Sequence, residues 1–339
     1  MRRKIKINFS DFHKGFNPEN SEYMNVLREK YDVEISDHPD YLIYSVFGTE
    51  YLKYDCVRIF YTGECVVPNF NECDYAIGFD RISFGDRYIR VPIYLLHSFK
   101  QDYLNILDRK EFTKEDLDKK EGFCSFVYSN CFAQDIRTTI FNKLSEYKQV
   151  SSGGRYLNNI GGAVKDKTEF QSKHKFSIAF ENSSYRGYTT EKIVQSFSAY
   201  TIPIYYGDPD VVLDFNERAF INCHDYKNLD EVVEKVKEID QNDDLYLSMI
   251  NENPIKDKKD LDAFKNFLYY IIDQDYSSAF RRPHSMYTES YDKMLKRHQF
   301  FEKYIYTNYK YAKNQITRLK TGTILTSKRT KRILEFRLK

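Results

Sequence analysis

Residues 176–209 read FSIAFENSSYRGYTTEKIVQSFSAYTIPIYYGDP, and this stretch predicts a strand, a helix and a second strand. The apolar run 176–180 predicts a buried strand, and the polar, glycine-containing run 181–188 predicts a loop. A helix that begins at Glu191 and an apolar strand over 201–206 follow. A strand–helix–strand unit of this length is typical of a parallel sheet, in which the helix N-terminus faces the carboxyl ends of the strands.

The predicted helix has the features of an anion-binding element. Thr189 or Thr190 can cap it, and apolar residues as far as Tyr200 recur at helical spacing. Free backbone N–H groups and the helix dipole attract anions to a helix N-terminus. Lys192, one residue into the helix, adds a full positive charge. The sequence therefore predicts a phosphate site at this edge of the sheet.

Three blocks of sequence carry a longer and more specific pattern. They are FENS at 180–183 with Tyr188 and TEK at 190–192; RIFYTGE at 58–64 with PNF at 68–70 and DYAIGFD at 74–80; and SFVYSN at 125–130 with Arg137 seven residues on. Together they resemble the α1,3-fucosyltransferases of glycosyltransferase family 10, and the second block is similar to that of the bacterial members. The resemblance runs from about residue 4 to about residue 270.

Composition limits the class of protein. A chain of 339 residues can form two domains with separate cores, and 52 basic against 50 acidic residues favour no nucleic-acid partner. Six cysteines without a CxxC pair indicate free thiols in a reducing compartment. The N-terminal MRRKIKINF lacks the apolar core of a signal peptide, and no apolar run approaches the roughly 20 residues of a membrane helix. We therefore expect a cytoplasmic protein, unlike the membrane-anchored animal members of the family.

The order of elements predicts an α/β protein with mostly parallel sheets. We predict strands at 4–9, 41–46, 57–61, 75–79, 88–91, 124–129 and 220–223, and helices at about 21–31, 134–147, 166–173, 229–239, 245–252, 260–270 and 289–320. The charge-dense residues 100–121 are the predicted boundary. The resemblance implies a GT-B fold with two Rossmann-like domains facing a central cleft: an acceptor domain at 1–121, a GDP-fucose domain at 122–284, and a helical region with a basic tail at 285–339.

Two cations are the candidates for binding the donor diphosphate. Cations around a leaving group can replace a metal ion, because both stabilise charge that grows in the transition state. The resemblance implies that Lys192 and Arg137 have this role, and Arg155 in a glycine-rich loop is a third candidate. The alternatives are a solvated lysine and an ordinary arginine on a helix surface. A cation is unfavourable at a helix N-terminus without an anion nearby, which favours the functional interpretation of Lys192.

Three further residues are candidates for holding the donor. The resemblance implies that Asn182 and Tyr188 lie around the nucleotide and that Glu191 contacts the fucose or sets the donor geometry. Each has a structural alternative, namely a turn-forming asparagine, a packing tyrosine and an acid that stabilises the first helical turn by roughly 0.3–1 kcal/mol.

Glu64 is the candidate base. It follows a predicted strand, and the resemblance implies that the glutamate of its TGE triplet removes the proton of the acceptor hydroxyl. We expect Glu64 to point into the cleft, where burial would raise its pKa; the alternative is an exposed glutamate at a strand end. In the loop SDFHKGF, Phe12, His13 and Phe16 would line the acceptor side and could stack on a sugar face.

Neither a metal nor a cofactor is expected. Asp208-Pro209-Asp210 matches the DxD motif that binds Mn²⁺ in other glycosyltransferases, but it follows Gly207 in a predicted turn. The resemblance implies a metal-independent family, and the scattered histidines have no ligand spacing. Residues 313–339 carry nine Lys or Arg and one acid among apolar residues. Such a tail can attach to an anionic membrane surface, the alternative being a solvated tail.

The resemblance implies inverting transfer of L-fucose from GDP-fucose to the 3-hydroxyl of N-acetylglucosamine, in a Lewis-type or N-acetyllactosamine-containing glycan such as a lipopolysaccharide O-antigen. One in-line displacement would convert the β-linked donor to an α-linked product. The alternatives are α1,4- or dual-specificity fucosyl transfer, transfer from another GDP-sugar, and a non-catalytic protein that binds GDP-sugar or glycan on the same fold.

Overall fold

The computed structural model describes residues 2–129, 136–283, 285–301 and 306–320, and elements within them are numbered in chain order. The strands are β1 (Lys4–Ser10), β2 (Asp32–Ile35), β3 (Tyr41–Tyr44), β4 (Val57–Tyr61), β5 (Tyr75–Gly78), β6 (Tyr88–Arg90), β7 (Gly122–Phe126), β8 (Val150–Ser152), β9 (His174–Phe180), β10 (Ile202–Tyr206) and β11 (Ile221–Asn222). The helices are α1 (Glu22–Lys30), α2 (Phe99–Leu107), α3 (Lys114–Asp118), α4 (Ile136–Tyr147), α5 (Lys167–Ser172), α6 (Glu191–Ser198), α7 (Leu229–Asp240), α8 (Asp243–Ile250), α9 (Ala263–Asp273), α10 (Tyr276–Ala279), α11 (Met286–Phe301) and α12 (Thr307–Lys320).

The first compact unit combines residues 1–97 with residues 259–304. Its six strands form one parallel sheet in the order β2-β1-β3-β4-β5-β6. Strands β3, β4 and β5 are buried along their whole length. Burial on both faces explains why their sequences are almost continuously apolar instead of alternating. The edge strand β2 was not predicted, because its sequence DVEI is half polar and only partly buried.

Asp74 holds the returning chain of the first unit in place. Its carboxylate accepts the backbone N–H of Arg58 at 2.7 Å and those of Arg281 and Arg282 at 2.7 and 2.8 Å. The guanidinium of Arg282 lies 3.2 Å from the same carboxylate and donates to the Cys56 carbonyl at 2.7 Å. Asp74 is fully buried. One charged side chain therefore joins the segment after α10 to the strands of the sheet.

Replacing Asp74 by Asn is expected to lower the free energy of unfolding by about 3–5 kcal/mol, because it leaves the buried Arg282 cation without its partner. Urea denaturation followed by circular dichroism measures the loss. The matched control is Asp37→Asn, an exposed site where a change within about 0.5 kcal/mol is expected. Equal denaturation midpoints for the two variants would contradict the anchoring role of Asp74.

The second compact unit contains residues 98–258 and the described helix α12. Its five strands form a parallel sheet in the order β11-β10-β9-β7-β8. A single core of apolar side chains joins this sheet to α4 and α7. The unpredicted strand β8 lies at the edge, at the start of the predicted glycine-rich loop.

The compact units divide the chain at different positions from the predicted boundaries at 121 and 284. The expected linker 100–121 contains α2 and α3; α2 contacts α6, and Phe112 and Leu117 belong to the core of the second unit. Residues 259–284 return to the first unit, where α9 contacts α1 and β6. The predicted helix 289–320 corresponds to α11 and α12. Residues 302–305 and most of the basic tail, 321–339, lie outside the described residues, as does Asn130 of the SFVYSN block.

Candidate active site

The predicted donor residues lie around the carboxyl edge of the second sheet. Strand β9 leads into a loop that enters α6, and Lys192 is the second residue of that helix. Helix α4 supplies Arg137. The parallel order of β7, β9 and β10 brings the residues that follow these strands to the same edge.

Arg137 is buried, with 1% of its surface exposed, so the interpretation as a surface arginine is wrong. Its Nη2 donates to the Phe180 carbonyl at 2.6 Å and to Asn182 Oδ1 at 2.8 Å. The guanidinium lies 4.2 Å from the ring centroid of Tyr128. Its Nε and Nη1 are buried without a hydrogen-bond partner among the described residues. Buried donors are normally satisfied, so these two nitrogens can bind an acceptor that does not belong to the described residues.

Lys192 is held by oxygen atoms on three sides. Its Nζ lies 2.8 Å from Glu181 Oε2, 2.7 Å from Thr190 Oγ1 and 3.4 Å from Glu191 Oε1. Its side chain is 12% exposed, so the interpretation as a solvated lysine is wrong. Burial lowers the pKa of Lys192, but the carboxylates of Glu181 and Glu191 raise it more, and the net pKa is well above the usual value. Lys192 is therefore a fixed cation.

Glu181 is a site residue that the sequence analysis missed. Its buried carboxylate accepts the backbone N–H of Thr190 at 2.7 Å and the Thr190 hydroxyl at 2.6 Å. Thr190 is the N-cap residue, but its hydroxyl makes no capping hydrogen bond to the helix and is directed to Glu181. A side chain on Gly207 would put its Cβ 2.4 Å from Glu181 Cγ, so this glycine leaves the room that Glu181 occupies. The helix also ends at Ser198, before the predicted Tyr200.

The start of α6 already carries carboxylates. Besides Glu181, Glu191 occupies the first helical position. Burial raises the pKa of Glu191, but the positive charges of Lys192 and Lys167 outweigh this effect. The net result is a pKa lowered to about 2. Glu191 is therefore ionised. The prediction of free backbone N–H groups at this helix start needs correction in one respect, because the Thr190 N–H already donates to Glu181.

Tyr188 and Asp208 shape the loop before α6. Tyr188 is 2% exposed and is therefore part of the buried structure of this loop. The fully buried Asp208 accepts the Gly187 N–H at 2.8 Å, the Thr189 hydroxyl at 3.1 Å and the Asp210 N–H at 2.8 Å. The first aspartate of the DxD pattern thus orders the loop. Within the described residues, no cluster of three or more His, Cys, Asp or Glu side chains could hold a metal ion.

In the first unit, Glu64 follows β4 by three residues. Its backbone N–H donates to Thr62 Oγ1 at 2.9 Å. The side chain is exposed within this unit, so the expected burial is not found there. It is thereby accessible to an acceptor hydroxyl.

The aromatic residues predicted on the acceptor side differ in whether their rings pack on each other or are exposed. The rings of Phe12 and Phe16 stack on each other at 3.9 Å, which makes them packing residues first. His13 is exposed and lies 6.3 Å, edge to face, from Phe47, which is 54% exposed. Phe47 was not among the predicted residues. Arg155 of the second unit is exposed, and no hydrogen bond or ion pair joins it to another described residue.

Comparisons with known proteins agree with this geometry. Residues 7–97 match the "Alpha-(1,3)-fucosyltransferase FucT N-terminal domain", and residues 117–252 match the "Glycosyltransferase family 10 (fucosyltransferase) C-term". A crystal structure of an α1,3-fucosyltransferase superposes with a TM-score of 0.70 at 31% identity, covering 84% of this chain and 94% of that one. The corresponding structure with GDP has a TM-score of 0.67 at 30% identity.

The chain belongs to glycosyltransferase family 10. It is also 36% identical, over 273 residues, to the α-(1,3)-fucosyltransferase FucT of Helicobacter pylori. That match covers 70% of this chain and 56% of the relative, so the chain spans about half the length of this curated family member. The predicted α/β fold of the GT-B class, with two parallel-sheet Rossmann-like domains, is confirmed. In the described part of this family member, no helix is both long and apolar enough to cross a membrane.

The structure of this family 10 member joins the predicted donor residues into two groups. Arg137 contacts Asn182, and Lys192 contacts Glu191, while Arg155 joins neither group. Glu181 and Lys167 were not among the predicted site residues, whereas Asp208 was predicted to lie in a turn. Glu181 stands inside the FENS block, so that motif was an available signal, whereas Lys167 comes near the site only through the packing of α5 on α6.

Proposed function

We propose that this protein is an α1,3-fucosyltransferase that transfers L-fucose from GDP-fucose to a sugar hydroxyl. The observation that supports this donor most directly is the pair of buried Arg137 nitrogens that find no hydrogen-bond partner in the described part of the chain, in the unit that also contains the fixed cation Lys192. Diphosphate oxygens are acceptors of the kind that such a guanidinium binds. The crystal structures of the related α1,3-fucosyltransferase with GDP and with GDP-fucose support the same donor class.

The proposed chemistry is a single displacement at the anomeric carbon. Arg137 and Lys192 stabilise the negative charge that grows on the departing diphosphate. Glu64 accepts the proton of the attacking hydroxyl while the new bond forms. Asn182, Tyr188 and Glu191 orient the donor, with Asn182 aligned by Arg137 and Glu191 by Lys192. One displacement inverts the anomeric centre from β in GDP-fucose to α in the product.

The proposed acceptor is the 3-hydroxyl of N-acetylglucosamine in a Lewis-type or N-acetyllactosamine-containing glycan, with lipopolysaccharide O-antigen as the natural context. The exposed rings of His13 and Phe47 are surfaces on which a sugar can stack.

We also propose that residues 313–339 attach the enzyme to the anionic inner face of a membrane, which follows from their basic and apolar composition.

GDP release from GDP-fucose tests the function directly. We expect release with N-acetyllactosamine and with lactose, and little with the type 1 isomer, in which the 3-hydroxyl is already substituted. Preference for the type 1 isomer would indicate α1,4 transfer. GDP binding without release for any acceptor would favour a non-catalytic protein, and stronger competition by GDP-mannose than by GDP-fucose would indicate another donor.

The same assay tests the metal requirement. We propose that no divalent ion is required, because cationic side chains supply the charge near the leaving group. Turnover with excess EDTA is expected to stay within about twofold of turnover with Mn²⁺. If EDTA abolishes turnover and added Mn²⁺ restores it, both in the wild type and in Arg137 variants, the diphosphate must be bound through a metal ion.

A further inference from the structure

The charged side chains that contact one another at the start of α6 include too few cations to bind a diphosphate. Lys192 contacts two carboxylates, those of Glu181 and Glu191. These three groups together carry a net negative charge, since one cation faces two anions. A buried pocket with that charge would repel a diphosphate, because electrostatic interactions strengthen as water is excluded. Another cation is needed beside this group.

Lys167 is the residue whose placement fits this need. It is the first residue of α5, it is half-buried, and its Nζ donates to Gln195 Oε1 at 2.7 Å. Gln195 lies on α6, one turn after Lys192, so this hydrogen bond fixes the ammonium group against the flank of the helix. Lys167 also contributes to the lowered pKa of Glu191, which lies in the first turn of the same helix.

The charged neighbours of Lys167 come from three elements. Glu191 and Lys192 belong to α6, Glu181 follows β9, and Asp102 belongs to α2. The ionisable residues of β9 itself lie at the other end of that strand. There the His174 ring contacts the Phe170 carbonyl at 2.9 Å, and Lys175 pairs with Asp240 at 2.9 Å.

We propose that Lys167 is a positioning residue for the donor: its ammonium group offsets the excess carboxylate charge around Lys192, so that Lys192 and Arg137 can bind a nucleoside diphosphate. With Lys167 added, the four groups Lys167, Lys192, Glu181 and Glu191 are together neutral, and Arg137 adds a further positive charge in the same unit. This inference rests on the proposed function, because it assumes that a diphosphate binds here. Its role is electrostatic and differs from that of a residue that contacts the reacting atoms.

The protonation of Lys167 gives this role a pH signature. Burial lowers its pKa to about 8, although the carboxylates of Glu191 and Glu181 oppose the shift. The side chain is therefore mostly charged at pH 7 and mostly neutral at pH 9. A bound diphosphate favours the charged form, so by linkage GDP should bind more weakly as the pH rises through 8.

The test compares three variants with the wild-type chain by isothermal titration with GDP at pH 7 and pH 9. Lys167→Met is expected to weaken GDP binding about tenfold at pH 7 and to raise the KM for GDP-fucose with less change in kcat. The arginine of Lys167→Arg stays charged at pH 7 and at pH 9. This variant is therefore expected to bind GDP within about threefold of wild type at pH 7, and its GDP affinity should fall much less than that of wild type between pH 7 and pH 9. Lys165→Met, the same change at an exposed position two residues earlier, is the control and is expected to behave as wild type.

The outcomes separate this inference from the proposed function. A wild-type chain that fails to bind GDP would overturn the proposed donor. If the wild-type chain binds GDP and Lys167→Met binds it with the same Kd, the role of Lys167 is overturned and the proposed donor is retained. If Lys167→Met does not fold, the pH profile of Lys167→Arg decides: a decline between pH 7 and 9 equal to that of wild type would contradict the proposal. Other groups that titrate in this range, such as Lys120, are common to all variants and cancel in the comparison.

Discussion

Glu64→Gln is expected to lower kcat for fucosyl transfer by about 10²–10⁴-fold while the Kd for GDP stays within about twofold of wild type. Glutamine has the size of glutamate but cannot accept the proton of the attacking hydroxyl, and general-base catalysis contributes rate factors of this order. The Glu64 side chain is exposed within its unit and makes no hydrogen bond to another described side chain, so the substitution should leave the fold unchanged.

Two measurements check this prediction: turnover under saturating GDP-fucose and acceptor, and GDP affinity by isothermal titration. Glu29→Gln, an exposed glutamate of the same unit, is the matched control and should retain full turnover. Wild-type turnover in Glu64→Gln would remove Glu64 from the mechanism. A parallel loss of GDP affinity would instead assign Glu64 to donor binding. The expected split between turnover and affinity also distinguishes an enzyme from a protein that only binds GDP-sugar.

Arg137→Met is expected to lower kcat/KM for GDP-fucose by about 10²–10³-fold, the range measured when one donor to a developing negative charge is removed. The substitution removes the two guanidinium nitrogens that no described residue accepts from, and it also removes the donor to the Phe180 carbonyl and to Asn182. A buried carbonyl without a partner costs about 1–3 kcal/mol, so thermal unfolding must be measured alongside activity.

Arg137→Lys distinguishes charge from geometry. A lysine restores the positive charge, but one ammonium group cannot contact Phe180 and Asn182 and still offer two further aligned donors, as the guanidinium does. We therefore expect Arg137→Lys to recover less than about tenfold of the lost kcat/KM. The matched control is Arg155→Met, which makes the same charge change at an exposed position and should stay within about threefold of wild type. The reverse ranking of the Arg137 and Arg155 variants would exchange their assigned roles.

Much of the fold followed from local sequence. The predicted strand at 57–61 coincides with β4, and the helix predicted from Glu191 begins at that residue. These elements have strong periodicity or continuous apolar character, and burial on both faces of a parallel sheet produces that character directly. The free thiols predicted from cysteine spacing agree with the five cysteines that the structure describes. The edge strands β2 and β8 were missed because short, half-exposed strands lack such patterns.

The pairing of charges could not be obtained in the same way. The sequence pointed to Lys192 and Arg137 as cations, but it gave no sign that Glu181 neutralises the first or that the Phe180 carbonyl and Asn182 hold the second. Lys192 and Glu181 are eleven residues apart, and Arg137 and Asn182 are forty-five apart. Strand order brings these residues to one edge of the sheet, and strand order depends on packing across the whole unit.

The local sequence thus determines which residues are apolar and which are charged. It also determines where helices begin, because a helix start depends on neighbours within one or two turns. Which charge faces which, and whether a buried nitrogen keeps a partner, depends on contacts between elements that are distant in sequence. Arg137 shows the difference: from the sequence it had the alternative of an ordinary surface arginine, but packing against Tyr128 and β9 made it a buried cation. Two of its donors have no acceptor among the residues that the structure describes.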